Sequence, residues 1–141
     1  MTLFVGIEHF AIASRSPEAL AHWYVRELGF KIHTTFDNGA GKPFTYFIRL
    51  GDSGPFLELF AADREKSGRE KPNSEPGLAH VAILVSDFEQ AVAKMANSGA
   101  RPEGELRTGP SGFRIQFYRD PEGNLFHILH RTNPLPKGGA L

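Results

Sequence analysis

Cysteine is absent from the 141-residue chain. Its absence removes disulfides, zinc–thiolate sites and thiol nucleophiles together, and leaves histidine and carboxylates as the available metal ligands. Net charge is absent too: 16 Lys and Arg balance 16 Asp and Glu, so no summed field draws the chain towards nucleic acid or an anionic membrane. No apolar run approaches the roughly 18 residues that span a bilayer, and the opening Met1-Thr2-Leu3-Phe4-Val5-Gly6 has no basic leader segment. The expectation is a cytoplasmic protein without membrane or nucleic-acid partners. One compact domain with a real core suits this length.

What is present is a pattern that occurs twice. Ile7 to Ala13 is an apolar run of strand type, and Ser16 followed by Pro17 announces a helix on which Leu20, Trp23, Tyr24 and Leu28 recur until Gly29. Three further strand-like runs follow, Phe30 to Phe36, Phe44 to Leu50 and Phe56 to Phe60, separated by turns rich in Gly and Pro. The polar stretch from Ala61 to Gly77 has no periodicity and reads as a linker. Then the order restarts. Leu78 to Val85 reads as a strand, Ser86 or Asp87 caps a helix through Phe88, Val92 and Met95 that Gly99 ends, and strands follow at Arg101 to Leu106, Gly112 to Arg119 and Asn124 to Arg131. The fold class expected is α+β, built from two βαβββ modules. Module one covers about residues 1–60, the linker 61–77, module two 78–131, and an irregular tail 132–141.

The two halves are in register. Gly29 follows His9 by 20 residues and Gly99 follows His80 by 19, while Glu58 lies 49 residues after His9 and His127 lies 47 after His80. Side chains alternate along a strand, so Phe10 and Ile12 face the helix layer and His9 faces away from it. Leu57 and Leu59 flank Glu58 as Phe126 and Ile128 flank His127, which puts all four polar residues on the face opposite the helices. An Ala two positions after His9 and His80 leaves room beside each imidazole. Three imidazoles and one carboxylate suit one divalent transition ion, Zn, Ni, Fe, Co or Mn, with open positions for two adjacent oxygens of a substrate. Any one of these histidines alone reads more readily as a structural residue; the four together, related by the repeat, read as a metal site. His22, His33 and His130 read as structural or solvated.

With those residues in view, the chain resembles the vicinal-oxygen-chelate superfamily of glyoxalases, bleomycin-resistance proteins, extradiol dioxygenases and methylmalonyl-CoA epimerases. The resemblance rests on Ile7-Glu8-His9-Phe10-Ala11-Ile12, on Trp23-Tyr24 with Leu28-Gly29-Phe30, on Phe56-Leu57-Glu58-Leu59, on Leu78-Ala79-His80-Val81-Ala82 and on Asp120-Pro121-Glu122-Gly123-Asn124. It implies paired βαβββ modules forming a cupped mixed sheet, and a homodimer in which both chains build each site. Glyoxalase-like members have metal ligands at the positions of His9, Glu58 and His80, with a Glu at the fourth; here His127 stands there. Ring-cleaving dioxygenases resemble a two-His, one-carboxylate pattern whose carboxylate comes from the last strand, and this chain lacks it.

Three functions compete. A glyoxalase-like lyase or isomerase would use Glu58 as its catalytic base on a small chelating substrate. A non-haem iron dioxygenase would hold a catechol-like substrate beside iron. A drug-binding resistance protein would use an aromatic cleft without a catalytic metal, for which Phe44, Tyr46, Phe56, Phe60, Phe113 and Phe117 offer a lining, although sheet core explains most of them. Arg49 or Arg114 would bind an anionic substrate group, with Phe113 beside it; solvated edge positions explain the arginines equally well. The Gly-bearing loops at 38–43 and 108–112 are expected to gate the cleft.

Overall fold

A computed structural model describes residues 2–37, 39, 41–66, 68–109 and 112–135. Asn38 and Ala40 of the first expected gating loop, Pro110 and Ser111 of the second, and 136–141 of the tail lie outside the described residues. The chain divides into two compact units, Met1–Ser67 and Gly68–Leu141, and the division falls inside the stretch read as a linker.

The first unit contains β1 (His9–Ser14), α1 (Pro17–Leu28), β2 (Lys31–Asp37), β3 (Pro43–Arg49) and β4 (Phe56–Ala61); the second contains β5 (Val81–Leu84), α2 (Phe88–Met95), β6 (Arg101–Thr108), β7 (Phe113–Arg119) and β8 (Leu125–Arg131). Each unit is βαβββ and forms its own four-stranded mixed sheet, ordered β1-β4-β3-β2 and β5-β8-β7-β6. The helix carries the chain across, so β1 meets β4 in parallel and β5 meets β8 in parallel, while the remaining pairs are antiparallel hairpins.

Local signals set the helix ends. Pro17 occupies the first turn of α1, where its missing N–H costs nothing. Ser16 stands at the N-cap position without a side-chain cap bond. Gly29 closes the helix in the left-handed region at φ 77°, its N–H donating to Val25 O (3.2 Å) while Phe30 N–H donates to Tyr24 O (3.2 Å). On α2 the cap is Asp87 rather than Ser86: its carboxylate accepts from Gln90 N–H at 2.9 Å and from the Gln90 side-chain amide at 2.9 Å.

Burial follows the alternation of the strands. Leu20, Trp23 and Tyr24 of α1 pack on Tyr46, Ile48, Leu57 and Leu59, and Phe88 and Met95 of α2 are buried with Ile83, Tyr118, Phe126 and Ile128. Each such side chain contributes about 1.5–3 kcal/mol of apolar burial. Between β7 and β8 the Asp120-Pro121-Glu122-Gly123-Asn124 turn is closed by buried Asp120, whose carboxylate accepts from Glu122 N–H (2.9 Å), Asn124 N–H (2.9 Å) and the Asn124 amide. That turn sets the register of the pair, and the register places His127 opposite Phe117.

Candidate metal and substrate site

Glu58 lies on β4, an inner strand with Ala11 of β1 on one side and Phe47 of β3 on the other. Its neighbours Leu57 and Leu59 are buried under α1, so strand alternation turns the carboxylate to the opposite face. There His9 Nε2 lies 3.1 Å from Glu58 Oε2, and His9 Nδ1 lies 3.1 Å from Glu8 Oε1. The Phe47 ring stands edge-on to His9 at 5.5 Å and leads to Phe36 and Phe56 at 5.8 and 6.2 Å.

Unit two repeats this pattern position by position. His127 on β8 is flanked by Ala82 of β5 and Phe117 of β7. Phe117 stands edge-on to His80 at 5.2 Å and lies 4.8 Å from His127, and the two imidazoles are 4.5 Å apart. His80 Nδ1 meets Asn73 Oδ1 at 2.7 Å. An amide oxygen only accepts, so Nδ1 carries the proton and Nε2 keeps its lone pair. His127 is 7% exposed, and neither of its ring nitrogens has a hydrogen-bond partner among the described residues. Burial, then the neighbouring His80 and Arg131, push its pKa down to about 4, and burial lowers that of His80 as well. Both imidazoles are therefore neutral near pH 7 and able to donate a lone pair.

An unpartnered buried polar group costs about 1–3 kcal/mol, a cost that a bound metal ion would offset. The donor types also fit: the imidazole and carboxylate of unit one, and the two imidazoles of unit two, are groups that a first-row transition ion accepts. Among the described residues no three His, Asp or Glu side chains converge within the chain on a common point, so each unit offers a pair, His9 with Glu58 and His80 with His127.

The other candidates separate. Arg49 is on the same face as Phe47, its guanidinium 4.8 Å above the Phe56 ring. Arg114 points towards the helix side, ion-paired with Glu89 and 4.5 Å above Phe88, and so is not brought to the face that carries His80 and His127. Phe113 lies under Arg131 at 5.8 Å, its ring packed so closely on Gly109 that a Cβ there would come within 1.9 Å. Sequence reasoning missed Glu8, Asn73 and Phe47, and named Phe117 only as one aromatic of a possible cleft lining. The two phenylalanines carry a signal, being the aromatic at the same place in both third strands; Asn73 carries none, because its contact with His80 is made by the fold of the linker.

The family model of the Glyoxalase/Bleomycin resistance protein/Dioxygenase superfamily matches residues 6–128, a span that includes His9, Glu58, His80 and His127. The chain belongs to this superfamily. It is 31% identical over 123 residues to the uncharacterized protein YwkD of Bacillus subtilis, an alignment covering 85% of this chain and 92% of that one. Among solved structures, a glyoxalase family protein from Enterococcus faecalis superposes with a TM-score of 0.70 at 26% identity, covering 91% of this chain and 99% of that one. The trypanothione-dependent glyoxalase I of Leishmania major does so with a TM-score of 0.67 at 25% identity, covering 90% and 87%. Paired four-stranded mixed sheets, each with one helix, are the architecture these superfamily members share with it. No helix among the described residues is long and apolar enough to cross a membrane.

Proposed function

We propose that the chain is a divalent-metal-dependent enzyme of glyoxalase type, a lyase or isomerase acting on a small substrate with two adjacent oxygens. The observation that carries this reading is His127, a buried, neutral imidazole whose nitrogens have no partner among the described residues and whose ring lies 4.5 Å from that of His80. His9, Glu58, His80 and His127 would hold the ion, one pair from each module. When bound, the ion supplies a Lewis acid that polarises the two substrate oxygens.

The chain's own residues supply the rest. Glu58 is the one carboxylate of the ligand set, and its partly buried side chain adjoins His9. As a base it takes the proton from the carbon next to the carbonyl, and it returns that proton to the neighbouring carbon, so hydrogen moves by one position and no oxidant is consumed. Phe47 and Phe56 give this side of the face an apolar wall against which a substrate would pack. Arg49, on the same face, meets an anionic group of the substrate.

We also infer a homodimer whose two chains contribute to each site. Its support is exposed apolar surface at the edge strands β1 and β5 and the segments leading into them: Ile7 and Phe10, and Leu78 and Leu84, are 66%, 40%, 69% and 67% exposed. Edge strands with such surface are normally covered.

The test is metal content of protein purified without chelator, measured beside a Glu58→Gln variant. Stoichiometric first-row metal in both, with turnover lost only in the variant, is the expected result. Full activity in the variant would remove Glu58 from the chemistry. Turnover that requires oxygen would move the reading to a dioxygenase, and no metal in either protein would move it to an aromatic-binding protein that uses Phe36, Phe47 and Phe56.

A further inference from the structure

The internal repeat provides a control that most binding sites lack. Arg49 ends β3 two residues after Phe47, and Arg119 ends β7 two residues after Phe117, so the two arginines are equivalent. Their pairings agree: Lys31 stands opposite Arg49, and Arg101 stands opposite Arg119. Their surroundings do not. Arg119 is 4% exposed and fully committed to structure. It is ion-paired with Glu103, donates to Gly123 O at 3.1 Å and to Lys71 O at 2.9 Å, and lies 3.6 Å from Glu70.

In unit one the carboxylate is missing. Glu103 lies two residues after Arg101 and opposite Phe117. The equivalent residue is His33 by count and Thr34 by pairing, because β2 shifts register between Ile32 and Thr34. Neither is acidic. Leu125, at the place of Phe56, is likewise replaced by an aromatic. The result is a half-buried Arg49 that makes no ion pair among the described residues, lying 4.8 Å from the Phe56 ring centroid, with the His33 ring 4.8 Å from the same ring. Lys31 is occupied by Asp52 at 3.7 Å. An uncommitted guanidinium on an aromatic ring, beside an imidazole that can donate an N–H, is the arrangement that accepts a carboxylate.

We propose that Arg49 and His33, resting on Phe56, form a carboxylate subsite, and that the substrate is therefore a small organic acid. Arg49 is two strand positions from Phe47, which stands opposite Glu58, a separation of ~7 Å at the usual rise per residue. The carboxylate thus lies several bonds from the carbon that Glu58 deprotonates. This assignment of substrate class rests on the reading of the His9–Glu58 face as the reaction site, but the subsite itself needs no metal.

The experiment titrates the full-length protein with phenylacetate and with its neutral amide, phenylacetamide, by calorimetry and by amide chemical shifts, with and without added Zn. Saturable binding of the acid, at least tenfold tighter than the amide, with shifts centred on Phe47, Arg49 and Phe56, is expected. Arg49→Gln should weaken the acid at least tenfold. His33→Glu should do the same while holding or raising the melting temperature, since it supplies unit one with the carboxylate that Glu103 gives Arg119. Retention of acid binding in a His9→Ala, Glu58→Gln variant would separate the subsite from the metal reading. Equal affinity for acid and amide, no saturable binding of the acid by the unaltered protein, or undiminished binding in both Arg49→Gln and His33→Glu would overturn the proposal.

Discussion

At the scale of single residues, His127 costs stability, and the proposed metal site accounts for that cost. Its two ring nitrogens are buried without partners among the described residues, so replacement by leucine removes a desolvation penalty of about 1–3 kcal/mol and adds apolar contact with Phe117. The expected outcome for His127→Leu is a melting temperature higher than that of the metal-free parent, together with loss of metal uptake in a competition assay. A lower melting temperature in metal-free protein would mean that the imidazole has a structural partner. Asn73 acts at His80, the neighbouring residue of the proposed site. It holds Nδ1 of His80 at 2.7 Å and so fixes the tautomer that presents Nε2. Asn73→Leu should weaken metal binding by roughly 10–100-fold, and Asn73→Asp, which keeps the acceptor, should restore it. Nitrogen chemical shifts of His80 in metal-free protein report the same tautomer without reference to the ion, and an unchanged tautomer in Asn73→Leu would count against this role.

At the scale of elements, the parts legible in the sequence are those specified by neighbours along the chain. The extent of α1 follows from Pro17 and Gly29, and the side on which Glu58 and His127 project follows from Leu57, Leu59, Phe126 and Ile128 by alternation alone. Less legible is whatever depends on distant contacts. Leu78 to Val85 reads as one strand, whereas the pairing with β8 begins at Val81 and ends with Val85 N–H donating to Leu129 O at 2.8 Å, and Leu78 O accepts instead from Lys71 Nζ. The linker reads as featureless for the same reason: Glu70, Lys71 and Glu75 are tied down by Arg101, Arg119 and Arg69, residues whose proximity only the folded chain reveals. β6 runs on to Thr108, past the expected end at Leu106, across an irregularity after Glu103 where Gly104 takes φ 70°. The cap of α2 carries a pH prediction. Hydrogen bonding from Gln90 N–H holds the Asp87 carboxyl below its ordinary value of 3.8. A depressed carboxyl pKa adds stability that is fully present above the unfolded value and is lost as pH falls through the folded one. Acid unfolding below about pH 4 should therefore show a contribution from Asp87 that Asp87→Asn removes, with no difference in slope between the two proteins at pH 6–8; equal acid slopes would mean the cap does not titrate on folding.

At the scale of the whole molecule, the repeat makes one question decidable: whether a complete ligand set is drawn from one chain or from two. On the proposed reading each module would supply one pair of ligands, and β1 and β5 end their sheets with exposed apolar residues. Consider a chain disabled in its first module by His9→Ala and Glu58→Gln, mixed with a chain disabled in its second by His80→Ala and His127→Ala. If every site takes both pairs from the same chain, each site in the mixture carries one defective pair and metal uptake stays at zero. If a site takes its first pair from one chain and its second from the partner, a mixed dimer has one site with both pairs defective and one with both intact. Random exchange between isologous dimers makes half of them mixed, so roughly one site in four should recover. Neither variant alone can recover any, and sedimentation at matched concentrations verifies that dimers form and exchange. Recovery near that fraction assigns the sites to the interface between chains. Its absence in a mixture shown to have exchanged assigns them to single chains, and the exposed edges of β1 and β5 would then require another explanation.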